Sequence, residues 1–321
     1  KEAWERITRV RKRSWDTQVT GVALMAFLGA GHTHLSGDYR DTVRRGLGYL
    51  KKRQRADGIF VGDHHAHSVY RSHPIATIAV TEAYIMTRDC ALRPVVEKAV
   101  DAILGRQFEN GGWGWHSNES HVSFSGWNLL ALLTAQSAGV RIPASSLVSM
   151  RAFLDEMTLR ESKGQRKAGF AFEVLRPNAE VGESLSIEAH EDLRSGGGAQ
   201  STVVGLFSRT LLAQSSRDSR IVGALQELLR NLPRHSERQK LSPGEWHFFA
   251  TQAALFHGGE TWRQWNKQLR DSFTRSIVAD QKSCERGTWE PQSEFGRVWA
   301  TAMGALTLES YYRFSASVVQ R

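Results

Sequence analysis

Histidines recur immediately before three long apolar segments of this 321-residue chain. They are His73, His121 and His247, and Asp16 holds the corresponding place before the first such segment. Imidazole and carboxylate groups both ligate divalent ions, so these four side chains are candidate ligands for one bound metal. Against this, they would have to reach across a wide cavity, and single histidines commonly form hydrogen bonds at helix ends. We therefore predict no metal and no other cofactor.

Asp16 is the one carboxylate that we identify at the starts of the apolar segments. One hypothesis makes it a displaced general acid, a role that requires burial or a partner. The other makes it a helix N-cap, because Asp just before an apolar helical run is a favoured cap. We favour the cap and keep Asp16 as the one catalytic candidate.

The same segment starts would line one end of a central cavity. Aromatic faces there could stabilise carbocations or bind an apolar ligand, whereas ordinary packing is the alternative. The nearby histidines His64, His65 and His67 form either an exposed loop or the rim of a pocket. The predicted ligand-pocket residues are Asp16, Thr17, Tyr70, His73, His121, Trp127, Gln200, His247, Phe248, Arg297 and Trp299.

Two kinds of helical segment alternate along the chain and would position these residues. The first kind is amphipathic, as in 92–103, where apolar residues recur three and four apart. The second kind is apolar almost all round, as in 19–30 and 75–86, and such a helix must be buried on most sides. The alternation indicates outer helices with one wet face and inner helices within a core.

The inner segments recur about every 50 residues, which indicates a helical-hairpin repeat. We predict an all-α fold, an α/α toroid of about six inner and six outer helices, that is, an (α/α)6 barrel. One domain would cover residues 1–321. A longer interval holds a Gly-, Ser- and Glu-rich insert at about 164–198, read as a loop with a short hairpin around 169–175.

Three turns between outer and inner helices share a pattern of Gln, then Gly, then an aromatic residue. They are Gln54–Phe60, Gln107–Trp113 and Gln281–Trp289. We expect Gln at each helix end to bond backbone groups of the next repeat. Gly permits the positive φ that stops the helix, and the aromatic ring covers the end of the hairpin.

These turns resemble the QW repeat of squalene and oxidosqualene cyclases and of protein prenyltransferase β subunits. The chain looks most similar to bacterial squalene-cyclase-like repeat proteins, in TGVALMAFLGAGHTH (20–34), HPIATIAVTEAYIMTRD (73–89), ENGGWGW (109–115) and ATAMGALTLESYYRF (300–314). The resemblance implies a toroid. It does not imply an activity, because one fold hosts many functions.

The catalytic motifs of these families are absent from the sequence. Neither DxDD nor DCTAE, which supply the cyclase acid, occurs, and there is no DDxxD cluster to hold magnesium. Cys90 and Cys284 do not fit the Asp, Cys and His zinc site of the prenyltransferases. Whether the chain is an enzyme stays open, and an enzyme of this fold would be terpene-cyclase-like.

Three functional hypotheses follow. The first is binding of an isoprenoid-like or lipid ligand in a central cavity, and the second is a noncatalytic protein- or membrane-interaction scaffold. A divergent terpene cyclase is the third, and the missing acid argues against it. Net charge is +9, with basic runs at 9–13 and 44–55. These runs are solvated helix faces or a surface for an anionic membrane, and no specific nucleic-acid motif is present.

No apolar stretch reaches the roughly 18 residues that span a bilayer, and no signal peptide is visible. The chain begins at Lys1 rather than Met. We expect a soluble domain that belongs to a longer chain.

Overall fold

The computed structural model describes residues 15–62, 69–114, 120–157, 197–213, 219–233 and 241–313. Throughout these residues the chain is helical without strands, which confirms the predicted all-α class. The helices are α1 (Asp16–Gly29), α2 (Arg40–Arg53), α3 (Val69–Thr87), α4 (Arg93–Leu104), α5 (Val122–Ser137), α6 (Ala144–Glu156), α7 (Gly197–Leu211), α8 (Ser219–Arg230), α9 (Glu245–His257), α10 (Gly259–Ser276), α11 (Gly296–Leu308) and α12 (Ser310–Arg313).

Burial alternates along the helices as the sequence predicts. In the odd-numbered helices at least half of the described side chains are buried, and in α3 the buried run is unbroken from Ser72 to Thr81. In α2, by contrast, Val43, Leu47 and Leu50 form one buried stripe and the rest of the helix meets solvent. Within the described residues we count six inner helices, which are the odd-numbered ones from α1 to α11. The five outer helices are the even-numbered ones from α2 to α10, and the single turn of α12 follows them.

The chain divides into two compact units, Lys1–Arg106 with Leu130–Ile142, and Gln107–Leu129 with Pro143–Arg321. In the first unit α1 packs along α3 so closely that a Cβ on Gly21 would lie 2.8 Å from Cγ2 of Ile75. In the second unit α7 packs on α9, and a Cβ on Gly126 of α5 would lie 2.1 Å from Cγ1 of Val204. Glycine at both places lets the inner helices touch.

Two predicted segments fall largely outside the described residues. The insert at about 164–198 is one, apart from Gly197 and Gly198, which open α7. The loop with His64, His65 and His67 is the other. Among the helices that the structure describes, none has the length and apolarity needed to cross a membrane.

The first two hairpin turns contain the hydrogen bonds that the sequence predicts. Gln54 Nε2 donates to the Gly58 carbonyl (3.1 Å) and to the Val95 carbonyl of α4 (2.9 Å). Gln107 Nε2 donates to the Gly111 carbonyl (2.8 Å) and to the Ser146 carbonyl of α6 (2.9 Å). Each amide therefore joins its own turn to the outer helix that comes next along the chain.

The third turn is built differently, and the predicted role of Gln281 is wrong. The residue that pairs with the turn aromatic Trp289 is Ile277, just as Gln54 pairs with Phe60 in the first turn. Helix α10 ends before Ile277, so Gln281 lies within a longer loop, where it is exposed. The Gln and aromatic residues of the motif therefore do not locate the end of the outer helix when the loop between them is longer.

Candidate functional site at the starts of the inner helices

Side chains on the inner helices accept hydrogen bonds from the turns that precede them. The Phe60 backbone N–H donates to Nδ1 of His73 (3.1 Å), and the Trp113 N–H donates to Oγ of Ser125 (2.9 Å). Trp289 repeats the arrangement with Oγ1 of Thr301, at a longer 3.4 Å. The turn aromatic is thus fixed to its inner helix in all three hairpins.

His73 is neutral as a consequence of this position. Burial, together with the charge of Arg106, lowers the pKa of His73 to about 4, and the Ala99 backbone and the charge of Asp57 oppose the shift. Because Nδ1 accepts the Phe60 N–H, the single proton of the neutral ring belongs on Nε2. This predicted pocket residue therefore serves the turn.

Two more predicted pocket residues also hold turns. Thr17 Oγ1 donates to the Val61 carbonyl at 2.9 Å. The Arg297 guanidinium lies 3.0 Å from carboxylate oxygens of both Glu285 and Glu290, and it donates to Thr288 Oγ1 at 3.1 Å. Arg297 thus holds the long third turn against α11. Most of its hydrogen-bonding groups are used in these contacts and are not available to a ligand.

The prediction that Asp16 caps its helix is wrong. Trp15 occupies the N-cap position, and no side-chain cap bond forms there. Asp16 is the first residue of α1, where the positive end of the helix dipole stabilises a negative charge. Its side chain is exposed, so the burial that a general acid would need is not met.

The three histidines pack against aromatic rings close to their own helices. His73 contacts Phe60 (ring centroids 5.8 Å apart), His121 contacts Phe124 (5.2 Å), and His247 contacts Phe273 of outer helix α10 (5.4 Å). Burial also lowers the pKa of His247 to about 4. Within the described ranges no three His, Cys, Asp or Glu side chains are grouped as a metal site.

The aromatic residues predicted for the pocket pack mainly against one another. Trp127 of α5 is stacked on Phe248 of α9, with centroids 5.6 Å apart and ring planes 4° from parallel. Trp299 lies 4.9 Å from Phe295. Trp127, Phe248 and Trp299 are at most 2% exposed, as the packing alternative requires. Tyr70 lies in the first turn of α3 and is partly exposed.

Sequence reasoning missed one carboxylate at an inner-helix start. Glu245 is the first residue of α9, is 7% exposed, and accepts a hydrogen bond from Nε2 of Gln200 on α7 at 2.8 Å. Gln200 is one of the predicted pocket residues. Glu245 is not, because the sequence pattern puts the start of this inner helix at His247, two residues later. Gly244, the N-cap, was the available signal, because Gly is accepted at that position.

Comparison with known families supports the predicted resemblance. The family model of the squalene-hopene cyclase C-terminal domain matches residues 13–147. This match confirms the squalene-cyclase-like repeat character of that part of the chain. A search of curated proteins gave no match.

Solved structures extend the likeness in fold to nearly the whole chain. An α-amylase from Clostridium perfringens is 9% identical, with a TM-score of 0.59 over 92% of this chain and 85% of that one. An α-1,6-mannanase from Salegentibacter sp. is also 9% identical, with a TM-score of 0.59 over 92% of this chain and 88% of its own. A protein from Actinoplanes is 18% identical, with a TM-score of 0.53 over 88% and 78%.

These likenesses show that the fold class is the α/α toroid, as the sequence predicts. At such identities they carry the fold alone. In the mannanase, a variant described as inactive has two adjacent aspartates replaced. No two aspartates are adjacent anywhere in the present sequence.

Proposed function

We propose that this chain is a noncatalytic interaction scaffold of the squalene-cyclase-like toroid class. The observation that carries the proposal is the use of polar residues at the inner-helix starts. His73, Ser125 and Thr301 receive the turn N–H groups, and Thr17 and Arg297 hold turn carbonyls and carboxylates. Residues already committed to fixing the fold are poorly placed to protonate or ligate a substrate.

Product analysis tests this proposal directly. The purified chain would be incubated with squalene, with geranylgeranyl diphosphate and with α-1,6-mannotriose, and the mixtures analysed by mass spectrometry. We expect each compound to be recovered unchanged. Turnover of any of them that is lost in the Asp16→Asn or Glu245→Gln variant would overturn the noncatalytic proposal.

The outer face of α2 is the surface best suited to docking, and its chemistry favours an anionic membrane. Arg45, Lys51 and Lys52 are exposed on α2, outside the buried stripe of the helix. Arg44 is also exposed but is paired with Asp41 at 3.0 Å. Each basic side chain held near an anionic bilayer contributes about 1 kcal/mol to binding at moderate salt.

Vesicle co-sedimentation tests the membrane surface. We expect the chain to bind vesicles that contain phosphatidylserine, to ignore pure phosphatidylcholine, and to dissociate as salt rises. Arg45→Gln combined with Lys51→Gln and Lys52→Gln should abolish binding. The matched control removes three exposed charges from α10, by Lys267→Gln, Arg270→Gln and Arg275→Gln. Equal loss in both triple variants, or binding only to duplex DNA, would contradict a membrane surface on α2.

An isoprenoid-like ligand is the second candidate, and the aromatic residues on inner helices α5, α7 and α9 favour it. Such a ligand would have to displace rings that already contact one another, such as Trp127 and Phe248. Native mass spectrometry of the purified chain, with and without added farnesol, tests it. An unshifted mass under both conditions excludes this candidate.

A further inference from the structure

An aromatic layer joins three inner helices of the second unit. Trp127 of α5 contacts both Phe248 and Phe249 of α9, at 5.6 and 4.9 Å between centroids. Phe249 in turn contacts Phe207 of α7 at 5.6 Å. All four rings are at most 2% exposed. Helices α5, α7 and α9 are therefore held side by side at this level.

A polar layer lies nearer the N-terminal ends of the same helices, on the same faces. Ser123 precedes Trp127 by four residues, Glu245 precedes Phe249 by four, and Gln200 precedes Phe207 by seven, spacings that repeat one face of a helix. Gln200 and Glu245 are directly hydrogen-bonded at 2.8 Å. Gln200 and Glu245 thus form a polar layer next to the aromatic layer, and the helical spacing puts Ser123 at the corresponding level of α5.

Two buried polar atoms in these layers have no hydrogen-bond partner within the described residues. One is Oγ of Ser123, in a residue that is 2% exposed, and the other is Nε1 of Trp127, in a residue that is fully buried. A buried donor or acceptor without a partner costs about 1–3 kcal/mol, so such atoms are good places for a ligand to bond. Gln200 is partly exposed, which gives the polar layer a route to the surface.

From these layers we infer that Ser123, Gln200 and Glu245 form a binding site for a hydroxyl-rich ligand, of the sugar or polyol class. Hydroxyl groups can both donate, as to the Glu245 carboxylate, and accept, as from the Trp127 Nε1–H, which can only donate. An ammonium group can donate but cannot accept, and a hydrocarbon does neither. The site is independent of the membrane surface on α2, so either can fail alone.

Isothermal titration calorimetry tests the site with glycerol, myo-inositol, mannose and α-1,6-mannotriose as probes. We expect at least one of them to bind, and ethylammonium, which donates hydrogen bonds but cannot accept them, to give no heat. The Glu245→Gln variant keeps the size of the side chain and should weaken binding about tenfold or more, because hydrogen bonds to a charged acceptor are the strong ones.

Two further variants keep the test decisive. Glu260→Gln removes an exposed carboxylate on α10 and should leave the affinity unchanged. Ser123→Ala removes only one hydroxyl and should weaken binding severalfold even if Glu245→Gln fails to fold. The inference is overturned if no probe binds at millimolar concentration, or if binding persists unaltered in the Ser123→Ala protein.

Discussion

The first two hairpin turns and the third turn do the same task with different contacts. In the first two, glycines with positive φ press against the next outer helix, since a Cβ on Gly58 would lie 2.1 Å from the Lys98 carbonyl oxygen and one on Gly111 2.0 Å from that of Ser149. In the third, Gly287 also has a positive φ of 82°, but open space surrounds it. A turn is therefore closely packed where the outer helix that comes next along the chain lies against it. The third turn lacks this contact, because no outer helix follows α11 in the described part of the chain.

The largest expected loss of stability comes from replacing the turn glycines, which differ in how closely they are packed. Gly111→Ala adds both left-handed backbone strain and a clash with a backbone oxygen, so we expect it to lower the free energy of unfolding by about 4 kcal/mol. Gly287→Ala adds the strain alone and should cost about 1 kcal/mol. Urea denaturation of both variants measures the difference, and equal losses would remove the distinction between the turns.

The next effect concerns pH, because the first hairpin uses a titratable acceptor where the other two use hydroxyls. The pKa of His73 is about 4 in the folded chain, below the 6.5 of a free histidine. The unfolded chain therefore binds more protons between pH 6.5 and 4, and stability should fall as the pH is lowered through that interval.

The loss attributable to His73 should approach about 3 kcal/mol at pH 4. Asn at position 73 retains an acceptor but does not titrate, so His73→Asn should reduce this pH dependence. His247, whose pKa is also about 4, would account for the remaining slope. Denaturation midpoints measured from pH 7.5 to 4.5 check the expectation, and an unchanged slope in the variant would refute the assignment to His73.

The glutamines give a smaller contrast. Gln107→Ala removes two hydrogen bonds and leaves two partly buried carbonyls to be solvated, which should cost about 2 kcal/mol. Gln281→Ala changes an exposed loop residue and should cost no more than about 0.5 kcal/mol. Thermal unfolding monitored by circular dichroism distinguishes them. A similar loss at both positions would mean that Gln281 has a structural role that its exposure does not suggest.

The smallest effect separates the two hydroxyl acceptors. Ser125→Ala removes the acceptor of a 2.9 Å bond in a buried turn and should cost about 1.5 kcal/mol. Thr301→Val removes the acceptor of a 3.4 Å bond and should cost about 0.5 kcal/mol. Chemical denaturation at fixed pH is the measurement, and a reversed order would show that bond length does not govern turn stability here.

Much of the fold could be predicted from the sequence, because the alternation of buried and half-buried helices is a pattern of side-chain polarity. The order and approximate positions of the helices followed from it, and the Gln54 and Gln107 bonds followed from the Gln and Gly spacing. The third turn could not be predicted in this way. Its extra loop residues carry no polarity signal, so Gln281 resembled a helix-end residue by type alone.

The site was harder to predict because position relative to a helix start depends on one or two residues. Moving the start of α9 to Glu245 adds a carboxylate to the set, and placing the cap at Trp15 makes Asp16 a first-turn residue. The bonds of His73 and Arg297 to their turns depend on the folded backbone, which spacing alone does not describe.

The glutamine bonds also set an order of events as the chain is made. Gln54 finds its partner 41 residues further on, and Gln107 finds its partner 39 residues further on. At synthesis rates of about 5–20 residues per second, each finished hairpin therefore waits several seconds with its amide bonded to water. The arrival of α4 completes the first of these turns and the arrival of α6 completes the second, so assembly of this part of the chain should advance stepwise from the N-terminal side.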